Sequence, residues 1–274
     1  MKTYLLVVVL AFPCAAPCAA APAVDWRPDL ATALAEASAA GRTVFVDFYA
    51  RWCGPCRVLE RITFLDSAFV GFASTRVCVR VDVERDTASA RRYQVRAYPT
   101  LVLLRGDGSE IDRIVGAPPT VELVSQLEEF SAGRGTLDTL LAQEATRGDD
   151  PAFTLQLAGR LQDHGRVEEA ARRYLRIFGR AAVDTTGAAE RAGFALAVMR
   201  YTYGPPTAAV LACRSWIERF PASPSRPGML LLLGNAEEAA GDLAAANSAY
   251  RAVVEKYPSS READEARERL QSLR

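Results

Sequence analysis

The stretch VFVDFYARWCGPC, residues 44–56, runs from an apolar strand pattern into a helix-compatible segment, so two cysteines lie where a strand becomes a helix. A helix N-terminus stabilises a thiolate through its unpaired backbone N–H groups and its dipole, which makes Cys53 the candidate nucleophile. Because only Gly54 and Pro55 intervene, Cys56 is close enough to attack a mixed disulfide on Cys53. The motif predicts a dithiol that cycles between thiol and disulfide, with an exposed and readily ionised sulfur on Cys53.

A Cys-x-x-Cys pair could instead form a structural disulfide or one half of a zinc site. Zinc needs a second ligand pair, and the candidates beyond the N-terminal segment, Cys78, Cys213 and His164, are not paired at ligand spacing. The sequence therefore indicates no metal and no cofactor, and the strand-to-helix context favours redox chemistry. Cys78 lies in an alternating strand pattern at 77–83, which favours a buried core residue over a third redox group.

The composition limits the class of protein. With 274 residues, 50% of them hydrophobic and 24% charged, the chain suits about two globular domains. Lys plus Arg and Asp plus Glu number 33 each. The resulting net charge of zero argues against nucleic acid or an anionic membrane surface as the main partner.

Residues 1–23 have the pattern of a signal peptide. Lys2 precedes an apolar run at 4–12, and Ala21-Pro22-Ala23 forms a small-residue cleavage site. The apolar run is too short for a comfortable membrane span of about 20 residues. We therefore expect a periplasmic or secreted protein, and an uncleaved membrane anchor is the alternative.

Residues 24–132 alternate between helix and strand patterns and include a hairpin turn at Gly106-Asp107-Gly108. The predicted helices cover 29–40, 57–62, 66–73, 87–93 and 118–130, and the predicted strands cover 43–49, 77–83, 101–104 and 111–115. The order combines parallel crossovers with one antiparallel hairpin. This combination predicts an α/β fold in which a mixed central sheet is flanked by helices.

Four short motifs of this region resemble the thioredoxin superfamily in their order and near its spacing. They are VDF at 46–48, WCGPC at 52–56, YPT at 98–100 and VGA at 115–117. The segment LERITFLD at 59–66 is similar to an insertion in the periplasmic C-terminal domain of DsbD, a membrane reductant carrier, and in its soluble relatives. The resemblance implies a thioredoxin fold and a thiol-disulfide oxidoreductase.

Asp47 is the only charged residue of its strand. If it is buried, its carboxyl group has a raised pKa and can accept and return a proton as Cys56 becomes the attacking thiolate. A solvent-facing aspartate is the alternative, but the resemblance places the superfamily's buried acid at this position. Arg80 stands where the resemblance would place a lysine, and because arginine keeps its charge we expect a more ionised Asp47.

The resemblance also implies which residues would contact a client protein. Pro99 would follow a cis peptide bond and face the dithiol, which turns the Tyr98 backbone outward to pair with an extended client segment. An ordinary trans proline at the start of a strand is the alternative. Trp52 is expected to cover the dithiol and, with Gly54 and Pro55, to contact the client.

The C-terminal half has another pattern, in which glycines recur at intervals of 39 and 37 residues. The glycines are Gly165, Gly204 and Gly241, and each precedes a packing residue by nine positions: Tyr174, Cys213 and Tyr250. The spacing resembles tetratricopeptide units, so we expect an all-α helical-repeat domain at 152–274 after a linker at 133–151. In this register Cys213 is a packing residue, and His164 is expected at a helix end.

Together these features predict an exported reductant of protein disulfides with a repeat domain for contacts with a protein partner. The Gly-Pro dipeptide between the cysteines accompanies a reducing couple in thioredoxin, whose reduction potential is about −270 mV. The resemblance implies a membrane electron donor similar to DsbD, and clients that are exported proteins or apocytochromes with disulfides or thiols. A disulfide oxidase or isomerase on the same fold, and a non-enzymatic repeat adaptor, are the alternatives.

Overall fold

A computed structural model describes residues 23–273, so the predicted signal peptide at 1–23 lies, except for its last residue, outside the described residues. The strands are β1 (Trp26–Arg27), β2 (Val44–Tyr49), β3 (Val77–Asp82), β4 (Thr100–Leu104) and β5 (Glu110–Val115). The helices among them and directly after them are α1 (Leu30–Ala40), α2 (Gly54–Arg61), α3 (Ser67–Ser74), α4 (Thr87–Arg92) and α5 (Thr120–Ser131), with a short 3₁₀ helix at Thr63–Leu65.

The remaining helices follow one another without strands. They are α6 (Leu137–Arg147), α7 (Pro151–Asp163), α8 (Val167–Phe178), α9 (Ala188–Tyr203), α10 (Pro206–Arg219), α11 (Arg226–Ala239), α12 (Leu243–Lys256) and α13 (Arg261–Ser272). Within residues 23–273, no helix has the length and apolar character needed to cross a membrane.

The five strands form one sheet in the order β1-β3-β2-β4-β5. The central strand β2 is parallel to β3 and antiparallel to β4, and all of its residues except the last are buried. β5 pairs with β4 and forms one edge of the sheet, and β1 forms the other edge. The predicted α/β fold with a mixed sheet is confirmed, and its most buried strand leads directly to the Cys-x-x-Cys motif.

The alternation of side chains along β2 divides the core into two layers. Val46 and Phe48 belong to the layer that includes both motif cysteines, whereas Phe45 packs in the other layer with Leu59 of α2. Because side chains of a strand alternate between faces, Asp47 points to the same side as Phe45. A carboxyl group is therefore placed in an apolar layer that α2 helps to cover.

Two elements of this half were absent from the predicted order. β1 is only two residues long and pairs with β3 at Cys78 and Val79, and so short a strand has no recognisable periodicity. The 3₁₀ helix contributes Phe64, whose ring centroid lies 5.1 Å from that of Trp26 in β1. Contacts with distant segments, rather than a local sequence pattern, hold both elements.

The C-terminal part of the described chain is helical, as predicted for an all-α region. Each helix from α7 to α12 packs against the next helix along the chain. The three residues predicted to fill equivalent packing positions are buried: Tyr174, Cys213 and Tyr250. The tetratricopeptide assignment and the domain limits stay predictions. Helix α6 occupies most of the segment 133–151 that we predicted as a linker.

The C-terminal helices are joined to the outer strand β5 through a buried carboxylate. Asp112 is fully buried, and its oxygens accept hydrogen bonds from the backbone N–H of Leu137 at 2.6 Å and of Arg113 at 2.7 Å. His164 Nε2 lies 2.8 Å from the same carboxylate, and Arg160 donates to the Arg113 carbonyl at 2.7 Å. His164 ends α7, as expected, but its contact with Asp112 was not predicted.

Candidate active site

The two motif cysteines lie at the first turn of α2 and form a disulfide. Cys53 is the N-cap residue, and its sulfur accepts a hydrogen bond from the Cys56 backbone N–H at 3.1 Å. Pro55 lies in the first turn, where its missing N–H removes no helical hydrogen bond. The Cys53 sulfur is thus in the position where the positive end of a helix dipole stabilises a thiolate.

Neither motif cysteine is exposed in the disulfide form. Only 3% of Cys53 and 2% of Cys56 is accessible to solvent, because both lie in the core and Tyr98 packs against the same cluster. The expectation of an exposed Cys53 sulfur is therefore wrong for this form. A thiolate that attacks the disulfide therefore meets two sulfurs that are largely covered by neighbouring residues.

Asp47 is fully buried below the surface of the sheet. One carboxylate oxygen accepts a hydrogen bond from Arg80 Nε at 2.9 Å, whereas the other has no hydrogen-bond partner among the described residues. Burial raises the pKa of the Asp47 carboxyl to about 6, although the Arg80 charge acts in the opposite direction. The carboxyl group can therefore gain and lose a proton near neutral pH.

The Arg80 guanidinium connects Asp47 to helix α2. It also donates to Glu60 Oε1 at 2.8 Å, and it lies over the ring of Tyr49 at 4.3 Å from the centroid. Glu60 follows Cys56 by one helical turn and so shares its side of α2. No role for Glu60 was predicted from the sequence. The available signal was a carboxylate one turn after the second cysteine, together with arginine in place of lysine at position 80.

The pH dependence of folding provides a test of the Asp47 environment. Since its pKa is raised from 3.8 to about 6 in the folded state, the buried charge lowers stability as the pH rises through this window. We expect Asp47→Asn to increase the free energy of unfolding by up to about 3 kcal/mol above this window, and to have little effect below it. Urea unfolding across the pH range measures this difference.

A matched control for that prediction is the same substitution at Asp25, whose side chain is 83% exposed. Asp25→Asn also removes one negative charge, but this charge is exposed to solvent. We therefore expect a small effect on the free energy of unfolding, with little dependence on pH. If Asp47→Asn and Asp25→Asn had parallel stability profiles against pH, the buried Asp47 carboxyl would not titrate in the range given above.

Trp52 and Tyr98 lie beside the motif. Trp52 is 66% exposed, its indole N–H donates to Glu84 at 3.1 Å, and its ring stands edge-on to that of Tyr98 with 5.9 Å between centroids. The peptide bond between Tyr98 and Pro99 is cis. Within residues 23–273, neither the backbone N–H nor the carbonyl of Tyr98 has a hydrogen-bond partner. Both groups can therefore pair with the backbone of another chain.

The two residues between the cysteines leave open space at the start of α2. A Cβ atom added to Gly54 would meet only the Arg57 guanidinium, at 3.9 Å. No backbone from outside this part of α2 lies within that distance of the same position. Gly54 and Pro55 therefore form a low surface next to the Cys53 sulfur, over which a client chain has room to pass.

The other two cysteines of the described chain are unsuited to the same chemistry. Cys78 and Cys213 are free and buried, and burial raises the pKa of each thiol to about 12. A thiol that stays protonated is a poor nucleophile. Both residues therefore have the packing roles that the sequence favoured. Residues 23–273 contain no cluster of three or more His, Cys, Asp and Glu side chains that could hold a metal ion.

Comparisons with known proteins match the region that contains this site. The thioredoxin family model matches residues 31–129. A thioredoxin of Mycolicibacterium smegmatis is 38% identical over 88 residues, which are 32% of this chain and 78% of that protein. A thioredoxin of Synechocystis sp. is 34% identical over 87 residues, again 32% of this chain and 78% of that protein.

One solved structure belongs with these relatives. The solution structure of a thioredoxin from Thermus thermophilus is 30% identical, covers 39% of this chain and 86% of its own chain, and gives a TM-score of 0.36. Helices α6 to α13 lie outside the residues that the family model matches.

Proposed function

Because the chain belongs to the thioredoxin family, we propose that it is an exported reductant of protein disulfides in which Cys53 attacks and Cys56 resolves. One observation carries this proposal. A Cys53–Cys56 disulfide caps α2 at its N-terminus, on the strand-to-helix connection that follows the buried Asp47.

The reaction begins with the dithiol form. The Cys53 thiolate attacks one sulfur of a client disulfide, which forms a mixed disulfide and releases the first client thiolate. The Cys56 thiolate then attacks the Cys53 sulfur, which forms the disulfide seen in the structure and releases the second client thiolate. Two electrons pass from the dithiol to the client, and each client thiolate takes up one proton.

The positions of the two cysteines support this order of events. Cys53 is the N-cap residue, so its sulfur faces the unpaired N–H groups of the first turn of α2. Cys56 lies within the helix and its sulfur is bonded to that of Cys53, so it is placed to attack a sulfur that Cys53 carries. The geometry therefore favours intermolecular attack by the first cysteine and intramolecular attack by the second.

Asp47 takes the proton that Cys56 must lose before it attacks. A carboxyl group with a pKa of about 6 is mostly ionised at neutral pH and can still accept a proton in the reaction. The Arg80 guanidinium bonds to both Asp47 and Glu60, and Glu60 follows Cys56 by one turn of α2. The guanidinium charge lowers the energy of the ionised Asp47 between proton transfers.

The client backbone pairs with Tyr98, and its side chains contact Trp52. Tyr98 supplies one N–H and one carbonyl without partners among the described residues, which suit the main chain of an extended segment. The exposed Trp52 ring supplies a flat apolar surface beside it. These contacts would hold the client disulfide next to the Cys53 sulfur.

The direction of electron flow and the location of the protein belong to the same proposal. The Gly54-Pro55 dipeptide favours a reducing couple, and the N-terminal sequence pattern favours export. A membrane carrier similar to DsbD would then restore the dithiol. The C-terminal helices would contact a protein partner, either the client or a component of an assembly.

The proposal is tested by reduction without an external electron source. The full chain is reduced, separated from the reductant, and mixed with a peptide that contains one disulfide. We expect the loss of one peptide disulfide for each chain that forms the Cys53–Cys56 disulfide. Rapid oxidation of a dithiol peptide by the disulfide form, without the reverse reaction, would favour the oxidase. Full cellular function without both cysteines would favour the adaptor.

A further inference from the structure

A cleft of about 500 Å³ separates the loop after β5 from the C-terminal helices. The cleft is broad and open to solvent, which suits a segment that lies along it. The residues that line it include Val115 at the end of β5, Ala117 and Pro118 of the loop, and Arg160, Ala195 and Val198 of α7 and α9. The cleft is therefore built by both halves of the chain.

The loop on one side of this cleft is attached to the cis proline of the active site. The Gly116 N–H donates to the Pro99 carbonyl at 2.8 Å, and Val115 pairs with Thr100, the residue after Pro99. Tyr98, on the other side of Pro99, contacts Trp52. A chain that pairs with the Tyr98 backbone and continues toward the loop therefore reaches the mouth of the cleft.

The gap on the N-terminal side of the cis proline is closed by the turn between α7 and α8. Arg96, which lies before the cis proline, approaches that turn closely enough that its Nη1 would be 3.7 Å from a Cβ on Gly165. The cavity between these segments, which Ala97 and Asp163 help to line, measures only about 20 Å³. A client segment can therefore leave the dithiol toward the larger cleft but not between Arg96 and α7.

The chemistry of the cleft suits a polypeptide backbone. Arg160 bonds to Gln126 Oε1 at 3.1 Å and pairs with Asp163 at 3.1 Å, so its charge is already compensated. Ala195 and Val198 add small apolar surface, and Gln162 supplies an NH₂ donor for a backbone carbonyl. The Glu122 carboxylate also lines the cleft and accepts a hydrogen bond from Gln126 Nε2 at 3.0 Å. An extended segment with small or apolar side chains therefore fits this lining better than an acidic one does.

We propose that this cleft binds an extended segment of the client, on one side of its reacting cysteine, so that the C-terminal helices form half of the client site. The inference rests on the proposed function and adds its substrate class: unfolded or extended polypeptide rather than small disulfides. At about 3.3 Å per residue, roughly six residues beyond the cysteine span about 20 Å, so a peptide of that length on each side of the cysteine tests the proposal.

The test compares two disulfide substrates of the reduced full chain. One is a peptide whose central cysteine is joined to glutathione, with about six residues on each side, and the other is oxidised glutathione. Val198→Trp fills the cleft, and Leu211→Trp on α10, where Leu211 is 70% exposed, is the matched control. We expect the ratio of the peptide rate to the glutathione rate to fall about tenfold in Val198→Trp only.

A second measurement does not depend on the folding of that variant. Cys56→Ser protein is joined to the same peptide through Cys53, with a photoreactive residue at either end of the peptide. We expect covalent adducts on α7 or α9 from one end of the peptide and not from the other. Adducts confined to residues 23–132 from both ends, or equal rate ratios in the two tryptophan variants, would overturn the inference. If the wild-type chain reduced neither substrate, the proposed function itself would fail.

Discussion

Cys56→Ser accumulates a mixed disulfide with its client on Cys53, whereas Cys53→Ser accumulates none and both variants lose turnover. The reason is that only Cys53 lies at the N-cap of α2, where its thiolate is stabilised, and only Cys56 can resolve the mixed disulfide. The steady-state rate of client reduction should fall to that of the uncatalysed exchange in both variants. This is the largest change in activity that we expect. Non-reducing electrophoresis and mass spectrometry of the adducts measure the trapping.

Cys78→Ala is the control for this experiment. Its thiol is buried and its pKa is raised to about 12, so it stays protonated and takes no part in exchange. Trapping by Cys56→Ser should therefore be unchanged when Cys78 is also replaced. Equal trapping by Cys53→Ser and Cys56→Ser would contradict the assignment of attacking and resolving cysteines.

Asp112→Ala should have the largest effect on stability, a loss of about 3 to 5 kcal/mol in the free energy of unfolding. The substitution leaves the buried N–H groups of Leu137 and Arg113 without their acceptor and removes the partner of His164. Because these bonds join α6 and α7 to β5, the C-terminal helices should also separate more readily from the sheet. Urea unfolding measures the first effect, and amide hydrogen exchange at Leu137 measures the second.

Asp264→Ala is the matched control for Asp112. Its side chain is 78% exposed and pairs with Arg267 on the surface of α13, so its loss should cost less than about 1 kcal/mol. Asp112→Asn keeps one acceptor oxygen, so its loss in the free energy of unfolding should lie between the losses of the two alanine variants. A cost for Asp112→Ala no greater than that for Asp264→Ala would show that this buried carboxylate does not hold the two halves together.

The parts of the fold that could be predicted are those with a local pattern. The apolar run of β2, the N-cap position of Cys53 and the alternation in β3 each follow from residues that are neighbours in the sequence. The burial of Asp47 could be predicted for the same reason, since it interrupts a continuous apolar strand. The helical pattern of the C-terminal half predicted an all-α region, but it did not predict how these helices attach to the sheet.

The remaining features depend on contacts between distant residues. Asp112 meets Leu137 and His164 only because α6 and α7 pack against β5, and no local pattern marks it as a buried acceptor. The expected exposure of Cys53 was wrong because Cys53 belongs to a buried cluster against which Tyr98, 45 residues later in the sequence, packs. Glu60 joins the site only through the side chain of Arg80.

The most direct test of the redox account is the reduction potential of the Cys53–Cys56 couple in the full chain. The protein is equilibrated with glutathione buffers of known ratio, and the fraction of the disulfide is measured by mass after the thiols are blocked. The account predicts one reversible two-electron transition near that of thioredoxin, about −270 mV. A midpoint of about −120 mV, as in strong disulfide oxidants, would contradict the account, and so would the absence of any reversible transition.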